Sequence, residues 1–120
     1  MLARAPASAT ASSGRAIVRV FPAGLSDLYA PSVDRLFRSA SDAVGSALVA
    51  IVLTGMGDDG AEAIRDVKSR GGRTIAESSQ TAIIFGMPGE AIKTGCVESI
   101  LPLPEIPNAI HRLCIGSSSA

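Results

Sequence analysis

At 120 residues, 47% hydrophobic and 18% charged, the chain has the composition of one folded domain or part of one. A formal net charge of zero argues against nucleic acid and anionic membranes as partners, and 3% aromatics leave few rings on which bases could stack. No apolar run approaches the roughly 20 residues of a membrane span, and two cysteines, Cys96 and Cys114, suit a reducing compartment rather than a disulfide framework.

Met1 to Gly14 is rich in Ala and Ser, contains no acidic residue and reads as a disordered tail, with too little large apolar surface to offset ordering. A transit peptide is the alternative, because Arg4 and Arg15 stand among small residues; the stretch to Ala16 is too weakly apolar for a secretory signal. Ala16 to Phe21 is a short strand in which Arg19 implies an edge or one wet face. Pro22 to Pro31 is a loop. Ser32 then reads as an N-cap, with Val33, Leu36, Phe37, Ala40 and Val44 at helical spacing and Gly45 closing the helix.

Ala47 to Leu53 is an apolar run of the kind found in buried parallel strands. It ends in the turn Thr54-Gly55-Met56-Gly57-Asp58-Asp59-Gly60. A helix follows with Ala61, Ile64, Val67 and Lys68 on one face, stopped by Gly71-Gly72. Arg73 to Ala76 is the next strand, which makes a right-handed βαβ unit with parallel strands. Glu77 to Thr81 is polar. Pro88 suits the start of a short helix from about Gly89 to Thr94, ended by Gly95. Val97 to Leu101 is a further strand, and a last helix runs through Ile110 and Leu113. Gly116 to Ala120 is expected to fray. No internal repeat is present. The alternation of strands and helices predicts an α/β domain.

Chemistry in open α/β sheets gathers at the carboxyl ends of the strands, which singles out Asp58 and Asp59. Gly55-Met56-Gly57-Asp58-Asp59-Gly60 has the letters of the Gly-x-Gly-x-x-Gly dinucleotide fingerprint. That fingerprint places a pyrophosphate on free amides at a helix N-terminus. A carboxylate about 4 Å from a phosphate repels it by roughly 4 kcal/mol at an effective dielectric near 20, so two acids there argue against a dinucleotide. The acids are expected to satisfy the helix N-terminus themselves. Three readings of the pair stay open on the residues alone: simple capping, a magnesium site short of further acidic partners, or a carboxylate that orients a catalytic imidazole.

Four blocks add a resemblance. Pro31-Ser32-Val33-Asp34-Arg35-Leu36-Phe37, Leu53-Thr54-Gly55-Met56-Gly57-Asp58-Asp59-Gly60, Gly72-Arg73-Thr74-Ile75-Ala76 and Phe85-Gly86-Met87-Pro88 resemble, in order and spacing, the CheB-type protein-glutamate methylesterases of bacterial chemotaxis. The resemblance covers about residues 31 to 114. It implies a doubly wound, mostly parallel, three-layer αβα fold, Rossmann-like and here partial, with the family domain's C-terminal portion over residues 15–115. It also implies hydrolysis of glutamate methyl esters on chemoreceptors in the cytoplasm, with deamidation of certain glutamines and no cofactor or metal. Asp59 matches the aspartate of the family's Ser-His-Asp triad, and the backbone N–H of Met56 matches an oxyanion donor. Asp58 falls at a position that varies in the family and is assigned no role.

The family's serine turn and histidine precede the block matching Leu53 to Gly60 by long stretches of chain. Only 52 residues precede Leu53 here, with no histidine among them. Ser69-Arg70-Gly71-Gly72 superficially resembles the nucleophile turn but falls at a helix end. His111, the sole histidine, lies on the last helix and reads as a surface or capping residue. Glu77-Ser78-Ser79-Gln80 replaces a segment that is more acidic in the family, so substrate contacts of the family kind are not expected there. A receiver domain is not expected in Met1 to Gly14. The expectation is a truncated methylesterase domain, inactive alone, whose exposed sheet edge favours self-association. The alternatives are a non-catalytic binding or self-associating remnant in chemotaxis signalling and, more remotely, a nucleotide-binding fragment.

Overall fold

The computed structural model describes residues 7–12, 15–20 and 33–119, with side chains described for residues 33–113. Strands β1 (Ala7–Ser12) and β2 (Arg15–Val20) precede helix α1 (Val33–Val44). Strand β3 (Val49–Val52), helix α2 (Ala61–Ser69), strand β4 (Arg73–Glu77), helix α3 (Met87–Lys93), strand β5 (Ser99–Leu101) and helix α4 (Ile106–Ser119) follow.

The sheet that organises the molecule has the order β3-β4-β5, all parallel, with Ile51 opposite Ile75 and Ile75 opposite Ser99. Alternate residues of β3 face opposite sides. Ala50 and Val52 pack with Ile64 and Val67 of α2 and Ala91 of α3, and Phe37 of α1 closes over that core. Val49 and Ile51 turn the other way and join Ile75, Leu101 and the α4 residues Ile106, Ala109, Ile110 and Leu113. Those four α4 positions recur at helical spacing, so one stripe of the helix is apolar. Helices therefore cover both faces, the three-layer αβα arrangement expected. β3 forms one edge of this sheet among the described strands.

Backbone geometry marks the ends of the elements. Gly45 adopts φ +55 after α1, and a short 3-10 turn over Gly45–Ala47 delays the start of β3 to Val49, two residues later than the apolar run suggested. α2 ends in a Schellman motif. Gly72 N–H donates to Val67 O at 3.0 Å and Gly71 N–H to Lys68 O at 3.1 Å. Gly71 supplies the left-handed φ of +84. β5 starts at Ser99 rather than Val97, and Glu98 just before it donates its N–H to the Thr74 carbonyl and hydroxyl of the neighbouring strand.

Two expectations fail. Ala7–Ser12 is a strand, antiparallel to β2 with Ala7 opposite Val20 and Ser12 opposite Arg15, and not part of a disordered tail. The backbone makes the ladder, so small side chains suffice, and β1 lies beside α1. Only Ser13-Gly14 separates the strands, a pairing and spacing that signals a hairpin. The C-terminal residues Gly116 to Ser119 continue α4 instead of fraying, since extending an existing helix adds one hydrogen bond per residue without a new nucleus. The Ser32 cap, the Pro22 to Pro31 loop and residues 1–6 lie outside the described residues.

Ser41 of α1 is 1% exposed and its hydroxyl has no hydrogen-bond partner among the described residues. Replacing it by Ala removes a buried unsatisfied group and improves helix propensity. Ser41→Ala is expected to raise unfolding free energy by about 1 kcal/mol in a urea melt, against the usual direction of core substitutions.

Candidate functional site

The segments after β3 and β4 meet at the carboxyl end of the sheet. Thr54 is the first anchor. Its N–H donates to Glu77 Oε1 at 2.9 Å, and its hydroxyl bridges Ile84, donating to the carbonyl at 3.1 Å and accepting from the N–H at 2.8 Å. Glu77 closes β4 and is 2% exposed. Its Oε2 accepts from Thr81 Oγ1 at 2.8 Å, and that hydroxyl accepts from Leu103 N–H at 2.8 Å. A buried carboxylate is costly without hydrogen bonds. Here its two bonds tie three separate segments together.

The Gly55-Met56-Gly57 turn rests against Gly86. Gly55 N–H donates to Ile84 O at 3.0 Å and Met87 N–H to Gly55 O at 2.8 Å, with Gly55 and Phe85 forming an isolated parallel bridge. A Cβ at Gly86 would fall 2.7 Å from Gly55 O and 3.0 Å from Gly57 N, so a glycine there permits the approach. Gly57 takes φ +86. The Met56 N–H donates to no group among the described residues, and its side chain is 73% exposed. Leu53, Ile83, Ile84, Phe85 and Leu103 are also exposed, giving this end of the sheet an apolar rim.

Asp59 is 5% exposed. Its Oδ2 accepts from Val33 N–H at 2.7 Å and its Oδ1 from Asp34 N–H at 3.0 Å. Both bonds go to the first turn of α1, not to the helix that Asp59 precedes. For Asp59 this corrects the expectation that the acids would cap their own helix. The N-cap of α2 is Gly60, with φ +98 and no side-chain bond. A Cβ on Gly60 would lie 3.0 Å from Val33 Cγ1, so the chain here runs against the start of α1, and Asp59 meets those free amides first. The Ala63 N–H of α2 is taken by Asp34 Oδ1 at 3.0 Å. Asp58 is exposed.

The other residues singled out from the sequence stand apart. His111 is exposed on α4, whose apolar stripe packs on the opposite sheet face from α2, and no bond joins it to Asp59. Ser69 ends α2 and its hydroxyl donates to Asp66 O at 2.8 Å, a helix-end role. No cluster of three His, Cys, Asp or Glu side chains able to hold a metal ion occurs among the described residues. Sequence reasoning missed Asp34, Glu77 and Thr81. The available signal for Glu77 was a carboxylate at a strand's carboxyl end. Loss of its two charge-assisted bonds leaves Thr54 N–H and the Thr81 hydroxyl short of an acceptor, so Glu77→Ala is expected to cost about 3 kcal/mol in a denaturant melt. Glu77→Gln keeps one acceptor oxygen and is expected to cost less.

Residues 5–110 match the family model for the CheB methylesterase. The chain is 49% identical over 86 residues to a protein-glutamate methylesterase/protein-glutamine glutaminase of Anaeromyxobacter dehalogenans, covering 72% of this chain and 24% of that protein. It is 46% identical over 101 residues to the corresponding protein of Borreliella burgdorferi, covering 84% of this chain and 26% of that one. It thus spans about a quarter of the length of these relatives. The crystal structure of the Thermotoga maritima CheB methylesterase catalytic domain matches with a TM-score of 0.86 at 31% identity, over 92% of this chain and 58% of that chain. A family match across most of the sequence, relatives near half identity and a shared architecture agree: the chain belongs to the CheB methylesterase family.

Proposed function

We propose that this chain is the aspartate-bearing portion of a cytoplasmic protein-glutamate methylesterase, acting on methylated chemoreceptors and deamidating glutamines. In this reading it is inactive until a segment bearing a serine and a histidine joins it. The observation that carries the reading is the buried, doubly bonded Asp59 carboxylate at the same sheet end as the Met56 N–H, which donates to no group among the described residues. No histidine or hydroxyl nucleophile of this chain bonds to that carboxylate among the described residues.

In the complemented site, the serine hydroxyl attacks the side-chain ester carbonyl and the histidine takes its proton. Asp59 holds the imidazole in one tautomer and stabilises the imidazolium without accepting the proton itself. A carboxylate accepts more than two hydrogen bonds, so the α1 amides leave capacity for an imidazole N–H. Met56 N–H supports the oxyanion. Methanol leaves with the proton from histidine, and water then hydrolyses the acyl-serine by the same groups in reverse roles. With glutamine, ammonia leaves instead.

A second reading is a non-catalytic remnant that binds a receptor or its own copy. The exposed apolar rim of Leu53, Ile83, Ile84 and Phe85, with the edge position of β3, favours it.

Methanol release from membranes carrying methylated receptors separates the two. The chain alone is expected to release none. Mixed with the serine- and histidine-bearing segment of a related methylesterase, it is expected to gain activity that Asp59→Asn lowers by about 10⁴. Release by the unaided chain, lost on Asp59→Ala, overturns the inactivity. Receptor binding without turnover in the mixture favours the remnant.

A further inference from the structure

The first turn of a helix presents amides that have no partner inside the helix. In α1 and α2 three of these amides are bonded crosswise among the described residues, while Ala61 N–H goes to Asp58 O of its own flank. Asp59, just before α2, takes Val33 N–H and Asp34 N–H of α1. Asp34, in the first turn of α1, takes Ala63 N–H of α2. Asp34 therefore acts twice. Its backbone donates to Asp59 Oδ1 at 3.0 Å while its carboxylate accepts from α2, also at 3.0 Å. The bonds close a ring from the Asp59 carboxylate through Asp34 to Ala63 and back along α2 to Gly60 and Asp59. Two carboxylates held close repel each other, but each faces the positive end of a helix dipole, which offsets the repulsion.

We propose that Asp34 is a positioning residue for Asp59: by clasping α2 it holds the start of α1 where the Val33 and Asp34 amides meet the Asp59 carboxylate. The proposal rests on Asp59 being the functional acid of the site, but its geometry is read without turnover. Were Asp34 only a cap for α2, removing its carboxylate would loosen Ala63 and leave the Val33 bond to Asp59 unchanged. As a clasp, its removal loosens both.

Amide hydrogen exchange by NMR on the full chain tests this. With Ile75 of β4 as the internal standard for global stability, Asp34→Ala is expected to lower protection at Val33 by at least about tenfold, the scale of one charge-assisted hydrogen bond. Asp34→Asn keeps the acceptor oxygen and is expected to restore Val33 and Ala63 together. A smaller loss at Val33, with Ala63 exposed, overturns the proposal. If the Ala variant does not fold, the unsubstituted chain decides: Val33 and Ala63 amides should open with a common dependence on denaturant, and separate openings overturn it. No arm of the test measures methanol, so a failed esterase assay leaves its outcome intact.

Discussion

Helices α1 and α2 begin side by side, and a carboxylate at the start of each accepts from amides at the start of the other. Asp59 closes α1 and Asp34 closes α2. Everything at the carboxyl end of the sheet is placed relative to that exchange. Gly60 must take its left-handed turn to let the chain pass Val33. The turn sets where α2 starts, and α2 in turn packs Ile64 and Val67 onto β3. A single buried carboxylate thus couples a helix entering from the hairpin side to the sheet that carries the site.

A second carboxylate does similar work one strand away. Glu77 joins the turn after β3, the segment at Thr81 and, through Thr81, the chain before α4. Among the described residues neither carboxylate forms an ion pair. Each accepts hydrogen bonds from backbone or hydroxyl donors, which are directional and fix segments that have no regular structure of their own. The surface ion pairs, such as Arg70 with Asp42 at 2.8 Å, join solvent-exposed side chains where water and salt weaken them.

Much of the sheet was legible in the sequence because its signals are local. Val49–Val52 sits inside an apolar run, Gly71-Gly72 ends α2 by a known turn, and Ile64 and Val67 recur at helical spacing. The position of Asp59 beside a strand end was legible for the same reason. Its bonding was not. Val33 lies 26 residues earlier, and no local pattern tells a carboxylate which helix it will cap. β1 was missed because its alternation sets only Ala methyl groups against Ser and Thr, a weak hydrophobic signal, although Ser13-Gly14 held a hairpin cue. Glu77 reads as the start of a polar stretch until Thr54 and Thr81, 23 residues before and 4 after it, are brought against it.

The two bonds from Asp59 to the head of α1 have an evolutionary consequence. Selection for a well-formed fold is enough to preserve that acid, whatever becomes of the chemistry. A chain without any turnover would still lose those two bonds on replacing it. In this chain the aspartate serves the architecture whether or not a reaction also draws on it.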